Sequence, residues 1–135
     1  MSVVYLNIGS NLGNREALIN RAILLISEEF GYYCLSGFVE SEPWGFESAN
    51  PFLNIGMAIK TDRHPEEVLR IIQGIEKSIS GKSHRDERGQ YCDREIDIDI
   101  MLIKGMEYHS ATLDIPHKHL FEREFFLKPL RELEA

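Results

Sequence analysis

Asp97 and Asp99 are the residues with the most chemistry to offer. Residues 95–100 read Glu-Ile-Asp-Ile-Asp-Ile. Strict alternation of acid and isoleucine is the period-two signature of a half-buried strand, with Ile96, Ile98 and Ile100 turned into a core. Asp97 and Asp99 then share the opposite face, about 7 Å apart along the strand. Like charges so placed repel unless something positive lies between them, and Asp is a poor strand former. A hard cation accounts for the pair, because Mg²⁺ takes oxygen ligands and is typically held by one or two carboxylates together with substrate phosphates. The plainer alternative is an edge strand whose acids are solvated and discourage aggregation.

Cations stand immediately upstream. Lys82, His84, Arg85, Arg88 and Arg94 fall in a nearly all-polar run leading straight into this strand. Such a run is ordinarily a solvated loop, yet its adjacency brings cations within reach of whatever the aspartates hold. His117-Lys118-His119 invites a zinc reading, which fails for want of a third and fourth ligand, since neither Cys34 nor Cys92 is near in sequence. Residues 41–51 carry the only tryptophan, Trp44, in a stretch too long for a plain hairpin. It is either a binding loop or a flap whose aromatics fold back onto the core. The Gly9-Ser10-Asn11-Leu12-Gly13 turn could offer backbone N–H groups to an anion. It lacks the P-loop lysine and the full dinucleotide fingerprint, so it reads as an ordinary tight turn. Glu76 reads as solvated surface.

The elements that must position these residues follow from periodicity. Residues 3–8 form a first strand, and Asn14 caps a helix over 15–30 that ends at Gly31. Strands are expected over 33–40 and 52–60, the latter with Leu53, Ile55, Met57 and Ile59 facing one way. Pro65 opens a second helix along the stripe Val68, Ile72, Ile75 and Ile79, closed by Gly81. The aspartate strand runs on through Ile103 to a turn at Lys104-Gly105, and 113–115 make a short strand ending at Pro116. The tail over 120–133 is helical in pattern, with Pro129 expected to break or restart it and Arg123 and Phe125 on neighbouring faces. The order β, α, β, β, α, β with later additions predicts an α+β, ferredoxin-like βαββαβ core, an antiparallel sheet with helices packed against it.

A chain of 135 residues is expected to form one domain over 1–135 around a single core. The net charge of −7 argues against a nucleic-acid or anionic-membrane partner. Two cysteines without metal-ligand spacing and no secretion-signal pattern point to the cytoplasm.

In order along the chain, the Gly9–Gly13 turn, Pro43-Trp44-Gly45-Phe46, Phe52-Leu53-Asn54, Arg94-Glu95-Ile96-Asp97-Ile98-Asp99-Ile100, Ile115-Pro116-His117 and Arg123-Glu124-Phe125 resemble the 6-hydroxymethyl-7,8-dihydropterin pyrophosphokinases of folate biosynthesis. The resemblance implies transfer of the diphosphate of ATP to the pterin hydroxymethyl group with release of AMP, by a monomer whose partners are those two small molecules. It implies two Mg²⁺ ions on Asp97 and Asp99, and ATP contacts at Gln73, Glu76, Ile98, His117, Lys118 and Arg123. It further implies a pterin ring between Phe52 and Phe125, met by Asn54 and by the loop from Ser41 and Glu42 to Pro43 and Trp44. The same resemblance implies that Arg94 and Lys82 meet the triphosphate as catalytic cations. Such catalysis is positioning and charge neutralisation, which suits divalent ions and a planar guanidinium. The alternative is a non-catalytic ferredoxin-like module binding a nucleotide or metal. A metal-dependent nuclease is disfavoured by the acidic composition.

Overall fold

β1 (Ser2–Ser10) is the strand on which the sheet is built. Its alternation sends Val4, Leu6 and Ile8 to one face and Tyr5, Asn7 and Gly9 to the other. The computed structural model describes residues 1–42, 50–80 and 95–134. After β1 come α1 (Arg15–Phe30), β2 (Tyr33–Ser41), β3 (Phe52–Thr61), α2 (Pro65–Ser80) and β4 (Asp97–Ile103). A two-stranded hairpin follows, β5 (Tyr108–His109) and β6 (Asp114–Ile115), then a 3₁₀ turn (Leu120–Glu122) and α3 (Glu124–Glu134). The main sheet has the order β2-β3-β1-β4 with every pairing antiparallel. This is the expected ferredoxin-like arrangement.

The isoleucines of β4 join Val4, Leu6 and Ile8 in the larger core, against Ile19, Ala22, Ile23 and Ile26 of α1 and Val68 and Ile72 of α2. Asn14 caps α1 through its side chain, 3.2 Å from the Ala17 N–H, and Gly31 ends it at φ 84°. The opposite face carries a smaller core of Tyr5, Met101, Leu120, Phe126 and Leu130. A bulge near Tyr5 and Leu6 shifts the β1–β4 register, which lets Met101 join this second face.

Pro129 does not break the tail helix. It lies inside α3 and is buried. The interruption falls at Arg123 instead, which is extended (φ −113°, ψ 105°) between the 3₁₀ turn and α3. The cause is packing: Pro129 seats on the sheet at Gly56, where an added Cβ would come within 2.7 Å of the proline Cβ. The hairpin strand β5, unmarked in the sequence pattern, is only two residues long.

Candidate active site

Strand register places the candidate residues. Gly9 of β1 pairs with Asn54 of β3 on one side and with Asp97 of β4 on the other; Asn7 pairs with Asp99, and Ser41 of β2 with Phe52. Cross-strand partners share a face, so Asp97, Asp99, Asn54, Phe52 and Ser41 all lie on the face opposite α1 and α2. α3 covers part of this face, and Phe125, in its first turn, packs at the edge of the smaller core. Asp97 and Asp99 are half-buried, Phe52 and Asn54 are buried, and Glu42 is exposed where the described part of β2 ends.

Gly9 is needed at its position. A Cβ there would approach Asn54 Oδ1 to 2.9 Å and the Phe52 ring to 3.4 Å, so the bare backbone lets amide and ring lie over β1. Asn54 Nδ2 donates to the Val39 carbonyl at 3.2 Å and to Ser41 Oγ at 2.9 Å. Asn11 Nδ2 ties the Asn50 carbonyl at 3.1 Å, and Arg15 donates to the Pro51 carbonyl at 3.0 Å, which anchors the approach to β3. The turn after β1 is therefore a buried structural junction, with Ser10 and Asn11 both inaccessible.

His117 faces Asp99. Its Nδ1 accepts the His119 N–H at 3.0 Å, so the neutral ring carries its proton on Nε2. Nε2 lies 3.7 Å from Asp99 Oδ1, too long for a direct hydrogen bond but close enough to aim a donor at the same small volume. The ring stands edge-on to Phe126 at 5.0 Å, and the His117 N–H donates to the Met101 carbonyl at 2.8 Å. Arg123 is buried, its guanidinium 5.6 Å from the Phe125 ring and 4.9 Å from that of Phe126.

The outer edge of β4 borders a cleft of about 230 Å³ lined by Leu69, Ile98, Ile100, Ser110–Asp114, His117 and the exposed Lys118. Glu76 is not solvated surface: it is 3 % exposed, and its carboxylate accepts the Ile98 N–H at 2.7 Å. An edge strand leaves alternate N–H groups without strand partners, and this one is served by a helix carboxylate. Gln73 is exposed one turn earlier on α2.

A second acid, absent from the sequence reading, fixes the far wall of that cleft. Glu66, in the first turn of α2, accepts from Ser110 Oγ at 2.6 Å, Thr112 Oγ1 at 2.6 Å and Tyr108 Oη at 2.7 Å. These hydrogen bonds, that of Ser110 first, lower its pKa to about 2. The sequence signal was a cluster of three hydroxyls at alternate positions, 108, 110 and 112, in a segment with little apolar periodicity.

Pro43, Trp44, Lys82 and Arg94 lie outside the described residues. Among the described residues, no group of three or more His, Cys, Asp or Glu side chains could cage a metal ion. Two carboxylates sharing a face nevertheless fit a divalent ion that arrives with phosphate oxygens to complete its shell. Nor, among the described residues, is any helix long and apolar enough to cross a membrane.

Comparison with known proteins gives this geometry its context. A 2-amino-4-hydroxy-6-hydroxymethyldihydropteridine pyrophosphokinase of Porphyromonas gingivalis is 40 % identical over 135 residues, covering 98 % of this chain and 91 % of its own length. One from Aquifex aeolicus is also 40 % identical, over 99 % of this chain and 81 % of its own. Among solved structures, one described as HPPK-DHPS in complex with substrates superposes with a TM-score of 0.71 over 98 % of this chain and 42 % of that one, at 13 % identity, a likeness of fold. The family model described as 7,8-dihydro-6-hydroxymethylpterin-pyrophosphokinase (HPPK) matches residues 5–135, from the first strand through the last helix, and the chain belongs to that family.

Proposed function

We propose that the protein transfers the diphosphate of ATP to the hydroxymethyl oxygen of 6-hydroxymethyl-7,8-dihydropterin, releasing AMP, as a step of folate biosynthesis. The observation that carries this reading is the single sheet face on which Asp97 and Asp99 of β4 lie beside Asn54 and Phe52 of β3, with only β1 between them. It supports adjoining subsites: phosphates at the carboxylates and a flat heterocycle at the ring and amide, with Phe125 as its second wall.

The nucleotide lies along the β4 edge, in the cleft reached by Ile98, His117 and Lys118, flanked by Gln73 and Glu76 of α2 and by Arg123. Glu76 acts there by holding the Ile98 backbone, and the His117 Nε2–H donates to a phosphate oxygen near Asp99. Asp97 and Asp99 hold the two Mg²⁺ ions that come with ATP, which supply charge neutralisation between its phosphates. The hydroxymethyl oxygen attacks the β-phosphorus in line; the bond from that phosphorus to the α–β bridging oxygen breaks, AMP leaves with the electron pair, and the hydroxyl proton passes to solvent. Lys82 and Arg94 meet the developing charge, and Ser41, Glu42, Pro43 and Trp44 close the pterin side. The reaction runs in the cytoplasm on a monomer.

A product assay tests the reading. AMP formed in step with pterin diphosphate supports it. Formation of ADP would mean transfer of the terminal phosphoryl group alone, and would overturn it.

A further inference from the structure

The amide of Asn54 is oriented by partners that act in only one direction. The Val39 carbonyl can only accept, so the Asn54 atom 3.2 Å from it is Nδ2, and that same atom lies 2.9 Å from Ser41 Oγ. Oδ1 therefore faces β1, where Asn7 meets it with Nδ2 at 3.2 Å. Both asparagines are 2 % exposed. β1 thus does two things for one amide: it leaves room at Gly9, where a Cβ would stand 2.9 Å from Asn54 Oδ1, and it supplies a donor at Asn7.

Asn7 is costly where it stands. Its own Oδ1 is buried without a hydrogen-bond partner. An apolar side chain at this position would carry no orphaned oxygen, which points to a use for the amide other than stability. A ligand reaching Asn54 from the Ser41 side competes for the Nδ2 hydrogens, and the bond from Asn7 is then the one that still holds the amide.

We propose that Asn7 is a positioning residue for pterin recognition: its N–H locks Asn54 with oxygen toward β1 and nitrogen toward β2, so that a heterocycle with a fixed donor and acceptor edge meets one amide orientation. This rests on Asn54 being a pterin contact, as read above.

The test is titration of wild type, Asn7→Ala, Asn54→Ala and the double variant with 6-hydroxymethyl-7,8-dihydropterin and, separately, with MgATP, beside thermal melting of each. Asn7→Ala is expected to weaken pterin binding about five- to tenfold, the worth of one buried hydrogen bond, with ATP affinity unchanged. The double variant should bind pterin no more weakly than Asn54→Ala alone, because the two act as one unit. Wild-type pterin affinity in Asn7→Ala beside a weakened Asn54→Ala overturns the proposal, as do losses that multiply in the double variant. Wild-type affinity in Asn54→Ala instead overturns the reading of Asn54 itself, and the proposal with it. Should Asn7→Ala fail to fold, Asn7→Leu fills similar space without a donor and should weaken pterin binding by about the same five- to tenfold; undiminished affinity there also overturns the proposal.

Discussion

At the scale of single residues, the acids on the site face differ in what their removal does. Asp97 and Asp99 share that face of β4, so replacing either by alanine relieves like-charge repulsion and, on the proposed reading, takes away an oxygen ligand of the divalent ions. Asp97→Ala and Asp99→Ala should each lower turnover by about a hundredfold or more while the melting temperature holds or rises. Rates near wild type in steady-state assays would remove the phosphate site from this face. Phe125 is half-buried beside Phe126, with ring centroids 5.0 Å apart. Phe125→Ala should weaken pterin binding about tenfold, from lost ring contact, and leave ATP affinity alone; equal losses for both ligands would mean that the start of α3 had been disordered instead. Asn7 was hidden from a sequence reading because it sits in an apolar run, and a lone polar residue in a central strand shows its purpose only once its cross-strand neighbours are known.

Among the elements, the β5–β6 hairpin depends on one carboxylate at the start of α2. Glu66 accepts three hydroxyl hydrogens, and Ser110 and Thr112 both line the cleft at the β4 edge. Glu66→Gln replaces one accepting oxygen by a donor, so the hairpin should loosen and the KM for ATP should rise about threefold to tenfold, with the KM for pterin unchanged. Because the Glu66 pKa falls from 4.5 to about 2, its contribution to stability is fully present above pH 4.5 and is lost as pH falls through 2. Acid unfolding of Glu66→Gln should lack that component, and identical acid transitions in the two proteins would show that the carboxylate holds nothing. Elements with strong periodicity were legible in the sequence: α1 begins and ends where the Asn14 cap and Gly31 indicate, and β4 shows its two faces outright. Partnerships between elements were not. Neither the Glu76 bond to Ile98 nor the seat of Pro129 on Gly56 leaves a local pattern, since each depends on which strand or helix arrives opposite.

At the scale of the whole molecule, two cores share one sheet, and the candidate site lies on the second face beside the core that α3 covers. Gly56→Ala tests that coupling. Its new Cβ would meet Pro129 at 2.7 Å and Leu133 at 3.0 Å, which should cost about 1–3 kcal/mol and lower the melting temperature by several degrees. Since α3 carries Phe125, pterin affinity should fall with it; a destabilised protein with unaltered pterin affinity would separate α3 docking from the pocket. The protein also carries a net charge of −7, so on the proposed reading the phosphates of ATP approach an acidic molecule, and divalent ions would offset the repulsion. Chelation of divalent ions should abolish turnover and added Mg²⁺ should restore it, whereas turnover that survives chelation would leave Asp97 and Asp99 without their assigned ligand.

The central place of β1 has a consequence for the order in which the protein can be made. β1 lies between β3 and β4, and its Val4 pairs with Ile103. On the ribosome the first strand emerges long before its second neighbour exists, and its Ile8 and Leu6 must wait with one edge open. The site cannot assemble piecemeal either, because Gly9, Asn54, Asp97 and Phe125 come from four separate stretches of chain. A nascent chain halted before β4 therefore has a half-built sheet and lacks the carboxylates of the candidate site; these arrive with the longest-range strand pairing in the main sheet, and Phe125 of α3 joins them later still.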